Sequence, residues 1–187
     1  MNRLFNINIF QIFFFILIIN SCSYPEIIRD EQIYYNDFEN NNLSKIDGGG
    51  LFFFNQSNVI GNFNNDGFTL HLDNVGPHEY IFVSFDLYIH GSWDGNLNGF
   101  PEDDKADKWI MEYKPGMDLF KDPAFDKYVT TFSNSPCWTN YCLRQSYPET
   151  YPFENNPKTG SYQTNLREIC NNNFFGGPTT LYKIEKS

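Results

Sequence analysis

Asp94, Asn96 and Asn98 recur at alternate positions of the chain, and Gly99 follows them. A carboxylate and two amides spaced this way turn their oxygens toward one centre, and the glycine lets the chain turn sharply, as in calcium-binding loops. Asp103, Asp104 and Asp107 add three carboxylates to the same stretch. A hard divalent ion takes about six to eight oxygen ligands, and such a loop can complete the set with main-chain carbonyls and water. It is not an EF-hand, because its twelfth position, where a bidentate Glu is required, is Lys105. The spacing predicts a Ca2+ loop with ligands drawn from Asp94, Asn96, Asn98, Asp103, Asp104 and Asp107. The alternative is a polar, turn-rich loop that holds no ion.

Other reactive groups point less clearly to chemistry. His71, His78 and His90 match no zinc spacing and read as surface or strand-edge residues. No G-x-S-x-G elbow, P-loop or dinucleotide fingerprint is present. Glu112 could be one half of a glycosidase carboxylate pair, which needs a second carboxyl about 5–10 Å away across a groove. Aromatic residues make up 19% of the chain, and they either fill a core or form a face that stacks on a ligand. Trp93, Trp109 and Tyr147 are the candidates for the second role. Cys137, Cys142 and Cys170 are disulfide candidates, and three thiols cannot all pair within one chain. A bridge could close the short loop between Cys137 and Cys142, or join Cys142 to Cys170, and the spacing leaves both open.

The elements that carry these residues read as strands. Along 81–89, Val83, Phe85, Leu87 and Ile89 alternate with Phe82, Ser84, Asp86 and Tyr88, the mark of a half-buried strand. Further strands are predicted at 51–54, 59–63, 68–72, 109–113, 128–132 and 179–184, with the long strand covering 79–90. Asn64-Asn65-Asp66-Gly67 ends in a strong hairpin dipeptide. Residues 134–178 read largely as loop. Short strands, frequent turn residues and no helical periodicity after the N-terminal segment predict an all-β fold, an antiparallel β-sandwich or barrel.

The N-terminus sets the location. Arg3 precedes an apolar run from Phe10 to Ile19, broken by Gln11 and too short for a membrane span of roughly 18 or more residues. Ser21-Cys22 then resembles a bacterial lipobox, which implies cleavage before Cys22 and lipidation of that cysteine. Residues 1–21 are thus predicted to be a lipoprotein signal, 22–33 a tether and 34–187 the domain, anchored by lipid in the bacterial cell envelope and facing away from the cytoplasm; the alternative is an ordinary signal peptide with an incidental Cys22 and a secreted protein. A net charge of −10 argues against nucleic-acid partners.

Several segments carry a family resemblance, in consistent order: Thr69-Leu70-His71-Leu72, Gly76-Pro77-His78, Val83-Ser84-Phe85-Asp86-Leu87-Tyr88-Ile89 and Ser92-Trp93-Asp94-Gly95-Asn96. The series continues with Asp107-Lys108-Trp109, Thr130-Thr131-Phe132-Ser133-Asn134, Gln145-Ser146-Tyr147-Pro148 and Thr159-Gly160. The chain resembles bacterial secreted modules of jelly-roll type, related in architecture to carbohydrate-binding modules and lectins. The resemblance implies a jelly-roll sandwich without catalytic activity that binds a glycan or a surface protein. It also likens Phe38-Glu39 to half of a structural calcium site on the first strand. Members continue past the strand matching Leu181-Tyr182-Lys183-Ile184, so the resemblance implies a domain truncated at Ser187. The competing expectation is a jelly-roll polysaccharide hydrolase using a carboxylate pair.

The lipobox reading has a direct readout. Mass spectrometry of the membrane fraction should find diacylglyceryl on an N-terminal Cys22; a soluble mature protein with an unmodified Cys22 would exclude the anchor.

Overall fold

The computed structural model describes residues 30–78, 80–97, 106–113, 126–134, 137, 142–169 and 178–187. The chain divides into two units, Met1–Asp37 and Phe38–Ser187. In the first, the described residues 30–37 carry no strand, and Asn36 Nδ2 donates to Tyr34 Oη at 3.0 Å.

Phe38–Ser187 is all-β: strands and turns but no helix occur among its described residues. The strands are β1 (Ile46–Asp47), β2 (Gly50–Phe54), β3 (Ser57–Gly61), β4 (Thr69–Leu70), β5 (Val83–Ile89), β6 (Lys108–Tyr113), β7 (Asp126–Thr131), β8 (Gln163–Leu166) and β9 (Thr179–Lys186). They pair as β1-β4, β2-β3, β6-β7 and the three-stranded β5-β9-β8. Every pairing is antiparallel.

The alternation in β5 is obeyed: Val83, Phe85 and Leu87 are partly buried and Ile89 fully so, while Ser84 and Asp86 face solvent. Across the ladder Phe85 opposes Ile184 and Leu87 opposes Tyr182, so one face of the β5-β9 pair is apolar. β9 takes the central position, which explains why Thr179, Thr180, Leu181 and Tyr182 are all buried.

The first hairpin differs from expectation. Its turn is Asn55-Gln56, both residues at positive φ (52° and 68°), which satisfies a two-residue turn whose twist matches that of the strands. Asp66-Gly67 joins no hairpin; it leads into β4, which returns to β1. β8 lies inside the stretch read as loop. Its sequence Gln-Thr-Asn-Leu has no apolar alternation, and Asn165 sits at φ 61° where the register against β9 shifts.

The core is aromatic and centred on Phe132, which is wholly buried just after β7. Its ring lies 4.6 Å from that of Tyr182, 5.0 Å from Tyr147, 6.0 Å from Trp93 and 6.4 Å from Trp109. Offset and edge-to-face contacts at these separations add to the area each ring buries. Beside the rings lies a layer of buried polar side chains: Thr130, Thr131, Ser133, Asn134, Gln145, Ser146, Thr179 and Thr180.

On the far side of β5, the buried Phe54 of β2 packs edge-on against Tyr88 at 5.1 Å and His90 at 4.9 Å. His90 Nδ1 lies 2.6 Å from Thr179 Oγ1, whose own proton goes to the Arg167 carbonyl at 2.8 Å. The hydroxyl can therefore only accept from His90, which fixes the neutral Nδ1–H tautomer. Burial holds the His90 pKa below its ordinary 6.5. A lowered histidine pKa means that the unfolded chain takes the proton first. The contribution of neutral His90 is complete above about pH 6.5 and declines as pH falls through the interval between the unfolded and folded values. Denaturation midpoints measured between pH 8 and 5 should fall below about pH 6.5, and His90→Gln should flatten that part of the profile. A slope unchanged by the substitution would remove His90 as its cause.

Candidate functional site

Beyond β5 the chain turns at Gly91 (φ 71°) and runs antiparallel beside residues 133–134. Asn134 holds that course: its amide donates to Gly91 O at 2.9 Å and Ile89 O at 3.4 Å, and its main-chain N donates to Trp93 O at 2.9 Å. Thr180 Oγ1 donates to Asn134 Oδ1 at 2.7 Å, which ties the turn to β9. Asp94 then pairs with Ser133 as an isolated antiparallel bridge. At Gly95 (φ 62°) any side chain would place its Cβ 2.0 Å from Arg144 O, so only glycine fits.

Asn96 is fixed on every side. Its main-chain N donates to Arg144 O at 2.7 Å, and its Nδ2 donates to Phe153 O at 2.6 Å. Its Oδ1 accepts from the Thr131 hydroxyl, and Ser146 Oγ lies 2.9 Å from both Asn96 Oδ1 and Phe153 O, its one proton shared between them. These contacts make Asn96 an organiser of the loop.

Asp94 and Asp107 do come together. Asp94 N donates to Asp107 Oδ2 at 3.1 Å. Partial desolvation of the Asp107 carboxyl, with the negative field of Asp94 behind it, pushes its pKa above the usual carboxylate value, and the hydrogen bond from Asp94 N partly offsets this. Asn98, Asp103 and Asp104, the other predicted ligands, lie outside the described residues. Among the described residues no three of His, Cys, Asp and Glu gather around one point.

One further group at this place is anomalous. Ser133 is wholly buried, and its hydroxyl is without a hydrogen-bond partner among the described residues.

The three candidate stacking aromatics belong to the core. Tyr147 is only 7% exposed, and its ring packs against Phe132 and Tyr182. Trp93 and Trp109 are half-buried, each edge-on to Phe132, and Trp109 also meets Phe85 at 5.9 Å. The rings that face outward are others: Phe153 and Tyr162 among them, at 53% and 64% exposure.

Each remaining candidate has an identifiable local role. Glu112 forms a cross-strand ion pair with Lys127 at 3.2 Å, on directly opposed residues of β6 and β7. Glu39 accepts from Ser57 Oγ at 2.5 Å and from Asn58 N at 2.9 Å, and these bonds lower its pKa. His71 pairs with Asp47 at 3.0 Å. His78 Nδ1 donates to Gly76 O at 2.8 Å, and its Nε2 lies 3.3 Å from Tyr113 Oη. A disulfide joins Cys137 to Cys142; Cys170, Cys22 and the apolar N-terminal run lie outside the described residues.

Sequence reasoning missed Asn134 as an organiser of this site, and Gln145, whose Oε1 accepts from Ser133 N at 3.1 Å. A buried amide inside a run such as Gln145-Ser146-Tyr147-Pro148-Glu149 has no apolar periodicity to reveal it. Family models, curated proteins and solved structures were all compared with this chain, and none matches.

Proposed function

We propose that Phe38–Ser187 is a non-catalytic binding module, a β-sandwich of jelly-roll type carried on a lipid-anchored bacterial envelope protein. Its ligand is a glycan or a surface protein, and Ca2+ stiffens the loop that follows β5. The observation that carries this reading is Phe153. Its carbonyl accepts from Asn96 Nδ2 at 2.6 Å and shares the Ser146 hydroxyl proton, 2.9 Å away, with Asn96 Oδ1, so the main chain beneath it is tied to Asn96. Its ring is nonetheless 53% exposed. An outward ring on an anchored backbone has little entropy left to lose on stacking against a sugar face or an apolar side chain.

Calcium suits the same place, because Asp94 and Asp107 bring two carboxylates to the loop that Asn96 ties to Phe153. The acidic chain, at a net charge of −10, fits a solvated surface protein better than a nucleic-acid or anionic-lipid binder.

A glycan array probed with the wild-type protein, with and without Ca2+, should return a ligand. Phe153→Ala should weaken binding to it by about tenfold or more, since a stacking aromatic commonly contributes over 1 kcal/mol. Its melting temperature should hardly move, because exposed substitutions usually change stability by less than about 0.5 kcal/mol. Undiminished binding by Phe153→Ala would exclude this ring as the contact surface.

A further inference from the structure

We infer that Asp66 is a site of spontaneous covalent modification, at which the main-chain nitrogen of Gly67 closes a succinimide on the Asp66 carboxyl and water reopens it to isoaspartate. The modification needs neither the ligand nor the calcium proposed above. It falls on the Asp-Gly dipeptide whose hairpin signal the fold leaves unused.

The reacting groups already touch. Gly67 N donates to Asp66 Oδ1 at 2.8 Å, so the carboxyl is folded back over its own peptide bond. The carbon bonded to that oxygen is the electrophile, and it stands beside the nitrogen that must attack it. Holding reacting atoms about 3–3.5 Å apart supplies much of the advantage of an intramolecular reaction. The ring that closes contains Gly67 N and the carbonyl carbon, Cα, Cβ and Cγ of Asp66, which is the ring of a succinimide. Nothing crowds it. Asp66 and Gly67 are both exposed, and a Cβ at Gly67 would meet no atom within 4 Å.

The reaction balances with water alone. Gly67 N attacks Cγ of the protonated carboxyl, the new C–N bond forms, and the amide proton and the carboxyl hydroxyl leave together as one water. A second water then adds to either carbonyl of the ring. Opening at Cγ restores aspartate. Opening at the main-chain carbonyl carbon leaves Asp66 joined to Gly67 through its side chain, with its α-carboxylate free. Isoaspartate has the mass of aspartate, but the main chain is longer by a methylene. That added length falls where the chain leads into β4, beside the close approach of Gly67 O to Gly48.

Sequence alone does not single out Asp66, because Asp47-Gly48 and Asp94-Gly95 are the same dipeptide. The fold separates them. The Asp47 carboxylate is turned to His71, with Oδ2 3.0 Å from Nε2, and Asp47 is paired with Thr69 between β1 and β4. Asp94 is bridged to Ser133, and Gly95 packs so closely on Arg144 O that no Cβ could enter. Ring closure requires the dihedral angles of both residues to change, and a paired or tightly packed main chain resists that. Asp66 and Gly67 lie between β3 and β4, outside any strand.

Peptide mapping of the whole chain after prolonged incubation in mildly acidic buffer tests this, with electron-transfer fragmentation to tell isoaspartate from aspartate. In the folded protein isoaspartate should accumulate at Asp66 about tenfold or more faster than at Asp47 or Asp94. A species lighter by one water should precede it. Asp66→Glu should show neither product at that position, because glutamate would have to close a larger ring. Gly67→Ala should slow the reaction, since the added methyl shields the nitrogen, and its melting temperature should hardly move in the open space around Gly67. In denaturing urea the three rates should converge. Equal rates at the three pairs in the folded chain, or an Asp66 that stays aspartate, would overturn the assignment. A preference for Asp66 that survives unfolding would overturn the part given to the folded Gly67–Asp66 bond.

Discussion

The amide of Gln145, wholly buried, is the contact on which the rest of this domain depends. Its Oε1 accepts from Ser133 N at 3.1 Å, Lys158 N at 2.7 Å and Tyr182 Oη at 3.3 Å. Its Nε2 donates to Tyr147 O and Thr159 O, both at 3.0 Å. One side chain thus joins the segment after β7, the irregular stretch between β7 and β8, and the central strand β9. Its main chain exchanges a further pair of hydrogen bonds with Asn155, at 3.1 and 2.7 Å. The net gain from each such bond is about 1 kcal/mol, but a buried partner left unsatisfied costs about 1–3 kcal/mol. Four of the groups Gln145 serves, Ser133 N, Lys158 N, Tyr147 O and Thr159 O, are main-chain groups that cannot be mutated away.

This arrangement accounts for how a stretch without regular structure can be so fixed. Residues 145–159 lie along the edge of β7 that β6 does not use: Tyr147 N donates to Thr131 O at 3.1 Å and Tyr151 N to Val129 O at 2.8 Å. Thr130 Oγ1 and Tyr128 Oη reach Glu149 O and Pro148 O, at 2.8 and 2.7 Å. The edge of β7 is therefore paired, by a loop in place of a strand, and the hazard of an open edge is removed there. The polar layer then supports the aromatic core, because Phe132 and Tyr182 are placed by residues that hydrogen-bond on either side of them. Satisfied polar networks of this kind specify one arrangement more sharply than apolar packing does. The functional consequence is positional: Phe153, Asn96, Asp94 and Ser133 all attach to this layer.

Regular strands were legible in the sequence because their signal is local. The alternation from Val83 to Ile89 and the β-rich runs 109–113 and 128–132 each mark a half-buried face, and each is a strand. The coarse all-β architecture follows from those runs and from the turn residues between them. The hairpin turn was misplaced because Asp66-Gly67 is the stronger dipeptide, while Asn55-Gln56 is selected by the Phe54–Ser57 register. β8 was invisible, since an edge strand of Gln-Thr-Asn-Leu is held by the backbone of β9 and not by its own pattern. At the candidate site, spacing puts Asp94 and Asp107 in one stretch, and the structure joins them by the bond from Asp94 N to Asp107 Oδ2, but spacing could not show that the Asn96 side chain is tied to Phe153 and Thr131. Nor could it show a serine whose hydroxyl lacks a partner. Those properties arise only from contacts between segments far apart in the chain.

The most direct measurement is the unfolding free energy of Gln145→Leu, by denaturant titration with intrinsic fluorescence, against wild type. Leucine keeps nearly the same volume but can serve none of the four main-chain groups. The account predicts a loss of at least about 3 kcal/mol. A Gln145→Leu protein within about 0.5 kcal/mol of wild type would contradict it, and would mean that packing around Phe132 holds the domain without the amide.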